Sequence, residues 1–119
     1  MLSFIIAFYL SAADTYHEKD YAAAWCAREG GITEYVLPDK TRVDCLLPGY
    51  AVEFDYGKKW AESIGQALYY GLMTHRAPGV VLIVTDPMKE FQFIARLRAV
   101  ADIYGIRVWV IGDEIFQIN

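Results

Sequence analysis

The residues best placed to do chemistry lie in one short stretch, residues 41–56, with the sequence TRVDCLLPGYAVEFDY. The stretch predicts two strands joined by a proline-glycine turn. If the strands pair symmetrically about that turn, Asp44 lies opposite Glu53, and Arg42 lies opposite Asp55. Because strand side chains alternate between faces, these four residues then share one face. Like charges opposite each other destabilise a sheet, so three carboxylates on one face predict a bound cation.

The opposite face of this hairpin is apolar and is predicted to pack against a helix. That face carries Cys45 together with Val43, Val52 and Phe54. The other cysteine of the chain, Cys26, lies near the end of the first predicted helix. If that helix covers the apolar face, a Cys26–Cys45 disulfide is geometrically reasonable.

The composition indicates a folded chain without bulk affinity for polyanions. With 119 residues, of which 55% are hydrophobic, the sequence can bury a core of its own. The net charge of −4 has the wrong sign for holding nucleic acid by overall electrostatics. A nucleic-acid role therefore needs a local basic patch or a cation. We expect residues 14–119 to form a single domain.

The first thirteen residues have two interpretations. Residues 2–10, LSFIIAFYL, are apolar and uncharged, and the small residues at 11 and 13 suit cleavage of a signal peptide. Cleavage would place the mature protein in the periplasm or outside the cell, where a disulfide is expected. The alternative is an N-terminal apolar segment of a cytoplasmic domain. The run is too short to cross a membrane as a helix, so no transmembrane span is predicted.

Hydrophobic periodicity and turn residues predict the element order α-β-β-β-α-β-α-β. The predicted helices cover about 14–28, 58–73 and 87–104, and the predicted strands about 32–37, 41–46, 50–56, 80–84 and 106–111. The strand-helix-strand unit at the end of the chain predicts two parallel strands. The fold class is therefore α/β, with a mixed sheet flanked by helices on both faces.

The first two helices carry side chains that bear on the site. Thr15 followed by Glu18 matches a capping box and predicts the start of the first helix. Pro78-Gly79 is predicted to end the second helix. That helix shows two stripes, a predicted buried one of Trp60, Ile64, Leu68 and Leu72 and a separate one of Lys59, Ser63, Gln66 and Tyr70.

With these elements in place, the chain resembles the PD-(D/E)XK nuclease superfamily, which has the restriction-endonuclease-like fold. The family core, α-β-β-β-α-β, matches residues 14–85. The family signature is an aspartate on the second core strand and an acidic residue on the third, matched here by Asp44 and Glu53. An acidic residue on the first helix often joins the site in this superfamily, and Glu18 matches it.

Two further features bear on the resemblance. Gln66 and Tyr70 match a Gln-x-x-x-Tyr motif known from one nuclease branch of the superfamily. The family pattern places a lysine two residues after the second acid, where this chain has Asp55. Lys58 or Lys59, at the start of the second helix, is then the expected source of positive charge.

The resemblance implies a metal-dependent phosphodiester hydrolase acting on nucleic acid, with DNA as the expected substrate. Asp44, Glu53 and Glu18 would converge on Mg²⁺ or Mn²⁺, since hard cations prefer carboxylate oxygens and water. The resemblance also implies that Asp55 is a further ligand and that Lys58 or Lys59 supplies positive charge. Gln66 and Tyr70 would position the substrate.

Two other functional classes stay open at this stage. A relative that keeps the fold without catalysis, as a binding or assembly module, is favoured by Asp55 at the lysine position and by the acidic net charge. A small secreted structural protein held by one disulfide would use its carboxylates as a solvated surface. The sequence has no glycine-rich phosphate loop and no Gly-x-Ser-x-Gly elbow, so those two catalytic schemes are not indicated.

Overall fold

The computed structural model of the protein describes residues 16–117. These residues form the helices α1 (Glu18–Glu29), α2 (Trp60–Thr74) and α3 (Pro87–Tyr104), the strands β1 (Ile32–Val36), β2 (Arg42–Leu46), β3 (Tyr50–Tyr56), β4 (Ala77–Ile83) and β5 (Arg107–Ile111), and short 3-10 helices at Gly57–Lys59 and Asp113–Phe116. The predicted element order is confirmed. Within this part of the chain, no helix is long and apolar enough to cross a membrane. The predicted signal or apolar segment at 1–13 lies outside the described residues.

The strands form one mixed sheet in the order β1-β2-β3-β4-β5. The first three strands are antiparallel neighbours, whereas β3, β4 and β5 run parallel, as the strand-helix-strand pattern predicts. In the β2–β3 hairpin, Cys45 pairs with Val52 and Leu46 pairs with Ala51. This is the symmetric register predicted from the proline-glycine turn.

The strand β4 begins three residues earlier than predicted, at Ala77. The helix before it ends at Thr74, and His75 closes it in the left-handed conformation with a φ of 56°. The prediction that Pro78-Gly79 ends this helix is wrong, because the dipeptide pairs within the sheet. Proline lacks an N–H, and it is tolerated here because β5 pairs with β4 only from Gly79 onward.

Helices cover both faces of the sheet, as predicted. On one face, α1 and the C-terminal 3-10 helix bury a cluster with the strands that includes Tyr21, Trp25, Phe54, Val81 and Ile115. On the other face, α2 and α3 pack on the sheet in a cluster that includes Ala67, Val80, Leu82, Leu97 and Ala101. The sheet is thus the middle of three layers, and β4, which lies between β3 and β5, is buried along most of its length.

The buried side of α2 differs from the predicted stripe. Its buried residues are Ser63, Ala67, Tyr70 and Gly71. Leu68 and Leu72 are 37% and 71% exposed, and Trp60 and Ile64 are only partly buried. Three of the four buried side chains are small, which lets α2 approach the sheet closely. The predicted stripe is therefore right for Trp60 and Ile64, which pack against the core, and wrong for Leu68 and Leu72, because the prediction followed hydrophobicity alone.

Face alternation breaks within β2. Val43 is fully buried, but it packs with Leu37, Leu46, Ala51 and Tyr70. Cys45 instead packs beneath α1, in the cluster that contains Val52 and Phe54. The prediction that Val43 and Cys45 share one packed face is therefore wrong, and the break falls at Asp44, the residue between them.

The start of α1 also differs from the prediction. The helix begins at Glu18, with His17 as its cap, and the His17 N–H donates to Asp20 Oδ2 at 2.8 Å. The predicted Thr15–Glu18 capping box is wrong, because Glu18 is the first helical residue rather than the third. The Glu18 carboxyl is consequently available to face the sheet.

Cys26 and Cys45 form the predicted disulfide, with their Cα atoms 5.7 Å apart. Both residues are fully buried. Gly31 packs directly on the bridge, since a Cβ there would lie 2.7 Å from the Cys45 Sγ and 2.8 Å from the Cys26 Sγ. The disulfide joins α1, which carries Glu18, to β2 at the residue next to Asp44.

Removing the disulfide should lower the free energy of unfolding by about 3 kcal/mol, because the bridge constrains an unfolded loop across a sequence separation of 19. The variant Cys26→Ala/Cys45→Ala should unfold at lower urea concentration than the oxidised wild type. Reductant should shift the wild type toward the variant and leave the variant unchanged. Equal urea midpoints for oxidised and fully reduced wild type would contradict this expectation.

Candidate functional site

The candidate site begins where β2 and β3 part. Their ladder runs from the turn as far as the pair Cys45–Val52. Beyond it, Asp44 Oδ2 accepts a hydrogen bond from the Phe54 N–H at 2.8 Å. The side chain thus satisfies a backbone donor in place of a strand carbonyl. This bond holds the Asp44 carboxylate against β3.

Glu53 lies on β3 beside Asp44, and the two carboxyl groups share a hydrogen bond. Such a bond requires that one of them carries a proton. Glu53 is only 5% exposed. Burial first, and then the hydrogen bond and charge of Asp44, raise the pKa of Glu53 far above its usual range. Burial also raises the pKa of Asp44, although the hydrogen bonds from Glu53 and from the Phe54 N–H oppose that shift.

Asp55 is the second buried acid of β3, and it too is 5% exposed. Its Oδ2 has no hydrogen-bond partner among the described residues. Burial first, and then the charges of Glu18 and Asp44, raise the pKa of Asp55 to about 7. The predicted cross-strand partner Arg42 instead forms an exposed pair with Glu34, at 3.9 Å. A buried carboxylate oxygen without a partner costs stability, so this position suits a ligand or a proton.

The Glu18 carboxyl approaches the same acids from α1. Burial first, and the charge of Asp44 second, raise the pKa of Glu18, while the charge of Lys59 lowers it. The charge of Glu18 contributes in turn to the raised pKa of Glu53 and of Asp55. The structure therefore brings Glu18 within electrostatic range of the three strand acids.

The two candidate lysines face different surroundings. The charge of Lys59 lowers the pKa of Glu18 and opposes the raised pKa of Asp55, so Lys59 lies close to the acids. Lys58 instead lines a separate cleft with Tyr56 and the first turns of α3. Of the two alternatives from the sequence, Lys59 is the one that the fold places at the carboxylates.

Gln66 and Tyr70 also meet beside the site. Their side chains are hydrogen-bonded, and the charges of Glu53 and Asp44 follow burial as causes of the raised pKa of Tyr70. Tyr70 is buried, whereas Gln66 is exposed. The ring of Tyr70 packs into the cluster with Val43, so its phenol is anchored while Gln66 remains reachable from solvent.

Glu34 is a neighbour of the site that the sequence analysis missed. It lines a groove of about 240 Å³ with Asp44, between α1 and β1, and its charge helps to raise the pKa of Asp44. The position of Glu34 next to Asp44 could have been predicted from the turn at Pro38-Asp39-Lys40. The β1–β2 pairs Thr33–Cys45 and Tyr35–Val43 are symmetric about residue 39, a register that also sets Glu34 across from Asp44.

The spacing of the acids bears on metal binding. Among residues 16–117, no three His, Cys, Asp or Glu side chains converge closely enough to hold a metal ion. The expected three-ligand group of Asp44, Glu53 and Glu18 is therefore not formed among these residues. Asp44 and Glu53 do meet, and Mg²⁺ is usually held by one or two carboxylates and several waters. This oxygen-only pair, beside the unpartnered Oδ2 of Asp55, fits a hard divalent cation.

Comparisons of the chain with protein-family models, with curated proteins and with solved structures gave no match. The function is therefore inferred from the residues and their geometry.

The buried acids predict that the metal-free protein loses stability as pH rises. The folded pKa of Asp55 is about 7, above the unfolded value of about 3.9, so the folded state binds more protons between these values. Through Asp55 alone, the free energy of unfolding should fall by about 2–3 kcal/mol between pH 5 and pH 8 in EDTA, measured by urea denaturation, and the raised pKa of Glu53 should add to this fall. Asp55→Asn should flatten this slope and stabilise the protein at pH 8.

The matched control is Asp102→Asn on the exposed side of α3, which should keep the wild-type pH slope. A wild type that is equally stable or more stable at pH 8 would refute the assignment of a raised pKa to the buried acids.

Proposed function

We propose that this protein is a metal-dependent nuclease-like domain of the PD-(D/E)XK type, which hydrolyses phosphodiester bonds in nucleic acid, with DNA as the first substrate to test. The observation that carries the proposal is the contact between Asp44 and Glu53 in the opened hairpin. Burying two acids in contact is costly in an apo protein, and a bound cation offsets that cost. The unpartnered oxygen of Asp55 supports the same interpretation.

The element order supports the family assignment. Residues 18–83 run α-β-β-β-α-β, with Asp44 on the second antiparallel strand and Glu53 on the third. Helix α1 presents Glu18 to the acids, and α2 presents Tyr70. This order of elements and these positions of the acids support the proposal.

The residues of the site have different roles in the proposed reaction. Asp44 and Glu53 would hold Mg²⁺ or Mn²⁺, with Asp55 and Glu18 as further oxygen ligands or partners of bound water. When bound, the cation supplies Lewis acidity and a more acidic water. Lys59 would offset negative charge at the phosphate. It would take the role of the family's lysine, whose position is occupied by Asp55 in this chain. Gln66, exposed and bonded to Tyr70, would orient the substrate by hydrogen bonds.

The disulfide supports an oxidising compartment for the folded protein, because buried disulfides are uncommon in reducing cytosol. This agrees with the interpretation of residues 1–13 as a cleaved signal, which would place the domain in the periplasm or outside the cell.

A catalytically inactive binding or assembly module is the second candidate. It is favoured by Asp55 at the lysine position, and by the lack of a three-ligand group among residues 16–117. Nucleic-acid binding without cleavage at millimolar Mg²⁺ or Mn²⁺ would favour this candidate over the nuclease.

The proposal predicts DNA cleavage that requires Mg²⁺ or Mn²⁺ and is abolished by EDTA. Asp44→Asn and Glu53→Gln should each lower the cleavage rate by at least about 100-fold, because each removes a charged oxygen at the cation. Glu29→Gln, at the exposed end of α1, should cleave like the wild type. Wild-type protein that leaves single-stranded and duplex DNA intact, beside an active reference nuclease, would overturn the catalytic proposal.

The lysine assignment is tested separately by the turnover number. Lys59→Ala should lower kcat by about 10–100-fold, and Lys59→Arg should recover part of the loss, because the required feature is a positive charge near the acids. Lys40→Asn is the control, since Lys40 lies in an exposed turn with a φ of 72° that asparagine accepts. A kcat for Lys59→Ala equal to that of Lys40→Asn would remove Lys59 from the site.

A further inference from the structure

A second concave surface adjoins the carboxylates at the carboxyl end of the parallel strands. This cleft, of about 560 Å³, is lined by residues that include Tyr56, Lys58, Asp86, Lys89, Glu90 and Phe93. Tyr56 ends β3 directly after Asp55, and the remaining walls come from the loop after β4 and the start of α3. In open α/β sheets, ligands bind beyond the carboxyl ends of the strands. The volume lies in the range of ordinary ligand pockets.

The 3-10 helix Gly57–Lys59 joins the cleft to the candidate site. Its last residue, Lys59, faces the acids, whereas Lys58 faces the cleft. Gly57 seats this helix against α3, since a Cβ there would lie 2.6 Å from Glu90 Oε1 and 3.3 Å from the Phe93 ring. A phosphodiester chain crossing this turn would therefore meet Lys59 and Lys58 in succession.

The side chains of the cleft suit an aromatic anion. The rings of Tyr56 and Phe93 are half-buried and contribute apolar surface. Lys58 has no ion pair among the described residues, and Lys89 has only an exposed contact with Asp86, at 3.9 Å. Glu90 keeps its negative charge but forms no ion pair with either lysine among the described residues. Its Oε2 instead accepts the Thr85 and Asp86 N–H groups at 3.2 and 2.8 Å. The start of α3 thus holds this carboxylate, and the two lysine ammonium groups can reach a phosphate.

We propose that this cleft binds an unpaired nucleotide next to the phosphodiester bond at the carboxylates, and that the substrate is single-stranded nucleic acid or a single-stranded end. This inference rests on the proposed function. Stacking on Phe93 or Tyr56 requires an exposed base face, which a paired duplex does not offer. The net charge of −4 also disfavours holding a duplex by overall electrostatics.

The test is fluorescence anisotropy with a labelled 12-nucleotide oligothymidylate and with a duplex of equal length, at low salt in EDTA. Wild-type protein should bind the single strand at least tenfold more tightly than the duplex. Phe93→Ala should weaken single-strand binding by about tenfold or more, as expected for losing one stacked base. Phe91→Ala is the matched control, because Phe91 lies on the same helix, is 64% exposed and is not among the residues lining the cleft.

Lys58→Glu keeps the test decisive if Phe93→Ala is unstable, since Lys58 is exposed and its change spares the core. It should also weaken single-strand binding by at least tenfold. Equal affinity of wild type and Lys58→Glu, or tighter binding of the duplex, would overturn the cleft assignment. Binding is measured in EDTA and cleavage is measured with Mg²⁺ or Mn²⁺, so the two proposals can fail separately. Intact cleft binding in EDTA without any cleavage in the presence of cation would defeat only the nuclease function.

Discussion

The hydrogen bond from the Phe54 N–H to the Asp44 carboxylate is the contact on which the site depends. It forms where the β2–β3 ladder gives way, so the hairpin stays joined there through a side chain instead of a second backbone pair. Asp44 is thereby pressed against Glu53, and the face alternation of β2 breaks at the same residue. A fully paired hairpin would leave Asp44 less closely held.

The rest of the fold buries the acids of the site, and burial disfavours their charged forms. Glu53 and Asp55 are buried on β3. Glu18 of α1 lies within electrostatic range of both acids, and Tyr70 of α2 lies within electrostatic range of Glu53. Burial of this kind costs stability near neutral pH, which the two core clusters and the disulfide must offset. The disulfide joins α1 to β2 beside Asp44, so the bond that stabilises the fold also ties the helix that carries Glu18 to the strand that carries Asp44.

Much of the site could be predicted because it depends on local rules. The proline-glycine turn set the hairpin register, and the register placed Asp44 with Glu53 and Cys45 toward Cys26. The order of elements followed from hydrophobic periodicity and turn residues. The symmetry that worked for this hairpin also held for the preceding one, where it would have revealed Glu34.

The misses arose where packing between elements overrides local pattern. Leu68 and Leu72 form the more hydrophobic stripe of α2, yet Ser63 and Ala67 are buried, because small side chains allow close contact with the sheet. Glu18 and Thr15 match a capping box, but the helix starts later and leaves Glu18 free for the acids. The choice between Lys58 and Lys59 depended on the 3-10 helix Gly57–Lys59, whose tight turn sends consecutive side chains to different surfaces.

The central claim is that Asp44 and Glu53 form a cation site, and calorimetric titration of Mg²⁺ and Mn²⁺ into the metal-free protein at pH 7.5 tests it most directly. The account predicts saturable binding to wild-type protein, a higher melting temperature with bound cation, and loss of both in Asp44→Asn/Glu53→Gln. Absence of binding to folded wild-type protein at millimolar cation, or unchanged binding to the double variant, would contradict it.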